Sequence, residues 1–257
     1  MTLLHAIILG IIEGLTEFLP ISSTGHMILA SSVMGISDVE FVKTFEIFIQ
    51  LGAILAIVVL YAKKYITDFG IYQRVIAAFV PTAVVGFILY KIIKSFLFGP
   101  LVVSVSLIVG GIILIVIDKL KLFQKENNEK IEKLSLKKAS YIGLAQSLSV
   151  VPGVSRAAAT IVGGMSQGLT RQQATEYSFL LAVPTMLAAT TLDLIKTPID
   201  FTQDQMIFLF VGSVIAFVTA WVAVKLFTQF VAKHGFSVFG YYRIVLGLIF
   251  LVYFFLR

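Results

Sequence analysis

The sequence predicts an all-α, polytopic membrane protein, and three observations carry that prediction. Of its 257 residues, 58% are hydrophobic and 13% charged, with a mean hydropathy of +0.99, whereas a soluble domain carries roughly 25% charge. Six apolar runs approach or exceed the roughly 18 residues that read as a spanning helix. Two further regions are as apolar but are broken near their middles by Pro, Gly and polar side chains. No hydrophilic stretch is long enough for a separate domain, so residues 1–257 read as a single membrane domain.

The first broken region covers about residues 2–35, with its break near Pro20. Non-helical backbone at membrane depth is tolerated only where it is buried in protein or lines a wet cavity. The region is therefore read as a re-entrant helix–break–helix hairpin rather than one kinked span, with Pro20 halting its first helix. Three spans follow at about 45–61, 75–93 and 101–117. The segment Asp118–Lys138 then holds Lys119, Lys121, Lys125, Lys130, Lys133, Lys137 and Lys138 and reads as the cytoplasmic loop. A second re-entrant hairpin, about 139–168, breaks near Pro152-Gly153. The last three spans are expected at about 176–194, 206–232 and 241–256.

Charge placement sets the expected orientation. Lys63, Lys64, Arg74, Arg171 and Lys233 join the loop lysines inside, and Lys43, Lys91, Lys94, Lys196 and Arg257 fall outside. Both termini are then outside, the first hairpin enters from the outer face, and the second enters from the cytoplasm. The net charge of +6 suits loops lying on anionic lipid, and no basic stripe interleaved with aromatics points to nucleic acid. Absence of cysteine removes disulfides and thiolate metal sites. The N-terminus lacks a basic leader and a small-residue cleavage site, so Met1 onward reads as mature protein.

An internal repeat fits this layout. Gly10-Ile11-Ile12-Glu13-Gly14-Leu15-Thr16 parallels Gly143-Leu144-Ala145-Gln146-Ser147-Leu148-Ser149. With a one-residue shift, Pro20-Ile21-Ser22-Ser23 lies over Pro152-Gly153-Val154-Ser155, and Glu46 matches Glu176. Each half (1–117 and 139–257, joined by 118–138) holds one hairpin and three spans. Three is odd, so the second half enters the membrane inverted, and the two breaks face each other near the midplane.

The chemistry-bearing residues lie in the breaks. Glu13 and Glu17 are four apart and share a helix face. Two close carboxylates in a dry setting take up a proton or share a cation, and oxygen-only ligation suits Mg²⁺ or Ca²⁺. The alternatives are helix-end carboxylates bonded to hydroxyls such as Thr16, or a proton-relay pair. After Pro20 come Ser22, Ser23, Thr24 and His26; a serine capping the next helix leaves its backbone N–H groups as a phosphate cradle. His26, three residues after Ser23, comes to the same side, as a nucleophile or as a base for a serine. Across the repeat, Arg156 reads as the only arginine deep in an apolar run, with a fork suited to phosphate oxygens. The alternative is that Arg156 neutralises Glu13 or Glu17 at rest. Ser155 and Thr160 flank it as further hydroxyls. His5 and His234 sit near the membrane edges and draw no functional reading.

Glu13-Gly14-Leu15-Thr16-Glu17-Phe18-Leu19-Pro20-Ile21-Ser22-Ser23-Thr24-Gly25-His26 and Pro152-Gly153-Val154-Ser155-Arg156 resemble the two signature motifs of bacterial undecaprenyl-diphosphate phosphatases of the bacitracin-resistance type. The similarity extends through Phe45–Ile54 and Phe179–Pro184. The resemblance implies hydrolysis of undecaprenyl diphosphate to undecaprenyl phosphate and phosphate, recycling the carrier lipid for cell-wall polymers. It also implies a divalent cation and a site open to the outer side of the plasma membrane. By position, Glu17, Ser23, His26 and Arg156 match the catalytic core. Ser22, Thr24, Ser155 and Thr160 are the expected substrate-binding hydroxyls, and Glu13 with Glu17 the expected metal ligands. Either Ser23 or His26 serves as nucleophile, with His26 preferred. Ala157 and Ala158 depart from the family's usual Ser-Gly and remove one hydroxyl from the cradle.

A transporter of polyprenyl phosphate is the competing reading, because inverted repeats with midplane breaks are also carrier architecture. The other common membrane lipid-phosphatase pattern requires a histidine six residues after Arg156, where Val162 stands. The expected partners are a polyprenyl diphosphate and membrane lipids, with no nucleic acid and a homodimer left open.

Overall fold

A computed structural model describes residues 1–67, 69–92, 99–123, 130–196 and 201–256. Lys94, Lys125 and Arg257, used above to set orientation, lie outside the described residues. Ten α-helices and no strands occur among the described residues. They are α1 Leu3–Thr16, α2 Ser23–Val33, α3 Glu40–Thr67, α4 Phe69–Ile92, α5 Pro100–Lys119, α6 Leu136–Gln146, α7 Arg156–Ser166, α8 Arg171–Lys196, α9 Gln203–His234 and α10 Ser237–Phe255. Two short helices followed by three long ones occur twice over.

Six helices are long and apolar enough to cross a membrane: Glu40–Lys64, Phe69–Leu89, Pro100–Lys119, Arg171–Ile195, Gln203–His234 and Ser237–Phe255. All six expected spans are present. Several begin earlier than hydropathy indicates, since Glu40, Lys43 and Arg171 continue the backbone ladder without adding apolarity. Val109, Phe210, Leu226 and Ile249 are exposed. Such surface is a liability in water and the ordinary condition of a helix in lipid.

The four short helices come as two pairs, each pair separated by a non-α-helical break. At ~1.5 Å per residue, α1 and α2 rise about 21 and 16 Å, short of the roughly 30 Å of a hydrocarbon core. Thr2 and His5 form a reciprocal cap that opens α1, which gives His5 a structural place. α1 ends at Thr16, four residues before the expected stop at Pro20. Pro20 disfavours helical φ/ψ at Leu19, and the chain unwinds through Leu19 N–H to Thr16 O and Ile21 N–H to Leu19 O. In the second hairpin, α6 tightens into a 3-10 turn at Ser147–Val150 and α7 starts at Arg156.

Helix contacts pair across the two sets: α1 lies on α9 and α6 on α4, while α3 meets α8 and α5 meets α10. Close approach needs glycine at matched points. A Cβ on Gly10 would come 2.8 Å from Gly212 O, and one on Gly143 would collide with Ala78 O. Gly143→Ala is therefore expected to cost about 1–3 kcal/mol, read as a lowered melting temperature in detergent; an unchanged melting point would show that α6 does not need to touch α4. Pro81 inside α4 leaves Ala77 O without its helical donor, and Ser140 Oγ of α6 donates to it at 3.2 Å.

One end of the bundle is tied by polar contacts. Arg74 Nε donates to Leu134 O at 2.7 Å. Lys64 pairs with Glu176, and Arg171 pairs with Asp118. Asp118 also accepts from Ser237 N and Oγ at the start of α10. Asp118 opens the lysine-rich segment and Leu134 lies within it, so this end is the one that carries it.

Candidate active site

The two breaks end in the same local geometry. Ser22 caps α2 and Ser155 caps α7, accepting from Gly25 N at 3.3 Å and Ala158 N at 3.2 Å. Both serines have left-handed φ, 71° and 77°, a state that costs a non-glycine residue on the order of 1–3 kcal/mol and clusters at functional sites. The register that sets Gly10 on Gly143 thus runs unchanged to Ser22 on Ser155, and the one-residue shift read from the sequence is corrected. In this register Ser23 and Arg156 occupy the same place, the first residue of α2 and of α7.

Glu17 joins them. Its Oε2 accepts from Ser23 Oγ and its Oε1 accepts from Arg156 Nη2 at 2.7 Å. Arg156 Nη1 donates to Ser178 O at 3.0 Å, Nη2 also meets Met186 Sδ at 3.3 Å, and the guanidinium sits 5.6 Å from the Phe18 ring centre. Its Nε is buried without a partner. A donor left open in a desolvated wall is a place for an anion's oxygen.

These groups form the polar end of a cavity of about 540 Å³. Glu17, Ser22, Ser23, Thr24, Ser155 and Arg156 line it together, while Phe79, Phe87, Met186 and Leu192 supply an apolar wall. The lining follows α4 to Phe87 and α8 to Asp193, away from Arg74 and Arg171 at the lysine-bearing end. A charged head with an apolar tail matches this division.

Three expected site residues do not line the cavity. Thr160 is fully buried and does not line the cavity; its hydroxyl contacts Gln146 Oε1 and Arg156 O, both at 2.9 Å. The fifth residue of α7 turns toward α6 and not into the cavity, where the sequence reading expected it. Gln146, which matches Glu13 in the repeat, also donates to Thr82 and Thr185 at 3.0 and 3.1 Å. His26 is half-buried but outside the cavity wall. Its Nδ1 lies 2.8 Å from Ser22 O and its Nε2 lies 2.7 Å from Tyr242 Oη. A carbonyl can only accept, so Nδ1 carries the hydrogen, and in the neutral imidazole Nε2 accepts from tyrosine. The two rings stack 5.6 Å apart, and the imidazole faces α10 rather than Ser23. Glu13 is fully buried and both of its carboxylate oxygens lack a hydrogen-bond partner. Among the described residues no three His, Asp or Glu side chains gather as a metal cluster.

Sequence reasoning passed over Arg243. It is fully buried, so Arg156 is not the only arginine deep in an apolar run. Its signal was present: it stands third in the run 241–256, where a guanidinium must find buried acceptors.

A model of the family described as bacitracin resistance protein BacA matches residues 6–249. The chain is 52% identical to an undecaprenyl-diphosphatase of Aquifex aeolicus over 99% of each chain. It is 48% identical to one of Bdellovibrio bacteriovorus over 98% of this chain and 96% of the relative. A Flavobacterium johnsoniae protein of the same name is also 48% identical, over 100% of this chain and 98% of its own.

Proposed function

The chain belongs to the bacitracin resistance protein BacA family, and from that membership and the Glu17 bridge we propose that it hydrolyses undecaprenyl diphosphate to undecaprenyl phosphate and phosphate. The observation that carries the reading is one carboxylate held between Ser23 on the first break and Arg156 on the second. It supplies a nucleophile, its base and a phosphate grip in one place.

In the proposed reaction Ser23 Oγ attacks the terminal phosphorus and passes its proton to Glu17. The bond to the bridging oxygen breaks, and its electron pair leaves with the lipid monophosphate. Arg156, through its open Nε and its Nη2, holds the non-bridging oxygens as they gain charge. Backbone N–H groups at the starts of α2 and α7 add to the cradle. Water then attacks the phosphoseryl group, Glu17 returns the proton to Ser23 Oγ, and phosphate departs with both protons of the water. His26 has a supporting part here: it holds Ser22 O and with it the strained cap beside Ser23.

Glu13, one helical turn before Glu17 and with two unpartnered buried oxygens, fits the oxygen-only donor set of Mg²⁺ or Ca²⁺. Such an ion commonly takes one or two carboxylates and completes its shell with substrate phosphates and water. When bound it would neutralise charge on the diphosphate head. Purified protein in detergent is expected to release phosphate from undecaprenyl diphosphate, and EDTA to slow that release by about 10²-fold or more. Release that is undiminished by chelator would remove the cation, and no release at all would remove the phosphatase.

The mirrored order and pairing of helices support two inverted halves with re-entrant hairpins. The cavity's course away from the lysine-rich end supports a site facing outward from the bacterial plasma membrane. Bacitracin resistance, named for the family, would follow from turnover of the lipid diphosphate there.

A further inference from the structure

Every donor on the Arg243 side chain is used, and all five acceptors are main-chain carbonyls. Nη1 donates to Pro20 O at 3.0 Å and to Val154 O at 3.1 Å. Nη2 donates to Gly153 O at 2.8 Å and Ser106 O at 3.2 Å, and Nε to Leu107 O at 3.4 Å. One guanidinium from α10 therefore ties the first break, the second break and the middle of α5 together. Broken helices leave carbonyls without intrahelical donors, and those carbonyls are a match for a cation that has no carboxylate among these bonds. The contacts also fall on strained backbone: Val154 immediately precedes the left-handed Ser155, and Pro20 lies two residues before the left-handed Ser22. Conformations of that kind persist only when their surroundings over-determine them. Arg243 does not line the cavity, so it acts through the breaks and not on a ligand.

We propose that Arg243 is the positioning residue of the site: its guanidinium fixes the two breaks relative to each other and so seats Ser23 and Arg156 on the two oxygens of one Glu17 carboxylate. The catalytic half of this inference rests on the phosphatase reading above; the structural half does not. Planarity matters as much as charge, because three flexible ammonium donors cannot reproduce a five-donor fork. Room matters too, since a Cβ on Gly110 would run into Arg243 Nη2.

Arg243→Lys and Gly110→Ala test it together, the second keeping the arginine but displacing its guanidinium. Both are expected to lower kcat by about 10²-fold, the cost of misplacing reacting groups by about 1 Å, with KM for undecaprenyl diphosphate within about 2-fold of the parent. Melting temperature and gel-filtration profile identify the folded protein on which the constants are measured. Retention of kcat within about 3-fold in either folded variant would overturn the proposal, as would a loss expressed in KM alone. A second readout needs no turnover. The chain has no cysteine, so spin labels at Leu19→Cys and Val151→Cys report the separation of the breaks directly. Their dipolar broadening is expected to change on Arg243→Gln; an unchanged line shape would overturn the clamp. If the parent protein releases no phosphate, the phosphatase reading fails and the spin-label result alone decides the clamp.

Discussion

Ser23→Ala is expected to reduce phosphate release from undecaprenyl diphosphate by about 10⁴-fold or more, the scale on which loss of a covalent nucleophile is felt. The substitution removes one oxygen, the one that donates to Glu17 Oε2, and leaves the Arg156–Glu17 pair and the Ser22 cap standing. Its contrast is His26→Ala. The imidazole is bonded to Ser22 O and Tyr242 Oη and lies outside the cavity wall, so its loss should loosen the cap and cost about 10–100-fold, a misplacement effect. Pre-steady-state turnover in the two variants separates the roles, because only Ser23→Ala should prevent a phosphate from becoming bound to protein. A labelled phosphoenzyme in Ser23→Ala but not in His26→Ala would return the nucleophile to histidine and reverse the assignment made from geometry.

The same contrast shows how far the sequence could be read. Spans were legible because an apolar run of sufficient length has one physical use, and all six are present. The breaks were legible because Pro and Gly in such a run must put their open carbonyls somewhere protected. Residue types in the breaks were legible for the same reason: Glu17, Ser23 and Arg156 are costly at that depth unless they meet. Direction was not legible. His26 three positions after Ser23 fits either a shared face or a turn back to the carbonyl four residues earlier, and the latter is what α2 adopts. Thr160 fits a cradle or the space beside α6, and Gln146, reached only through the fold, decides for the second. The repeat register was off by one because Pro20 and Pro152 are the eye-catching residues, whereas the strained serines are the conformational equivalents. Arg243's place in an apolar run was legible but its partners were not: its acceptors come from residues about 90 to 220 places earlier in the chain, and no local pattern announces them.

Arg156 is where charge and geometry can be pulled apart. Arg156→Ala removes the guanidinium from Glu17 and from the cavity, and a loss of about 10³–10⁵ in kcat is expected, as for an arginine that stabilises a transferring phosphoryl group. Alanine also strands a carboxylate: the pair is 11% and 6% exposed, and breaking one partner of a buried pair costs about 3–5 kcal/mol of stability. A low rate in that variant is therefore ambiguous unless the folded fraction is measured. Arg156→Lys resolves it. Lysine keeps the positive charge facing Glu17 but gives up the fork whose Nη1 is fixed by Ser178 O and whose Nε is buried and unpaired. If Arg156 contributes directed hydrogen bonds to the transferred phosphate, Arg156→Lys should fold like the parent and still lose about 10²-fold in kcat with little change in KM. Parent-like turnover in Arg156→Lys would mean that a point charge is enough, and the open Nε would then have no part in the chemistry.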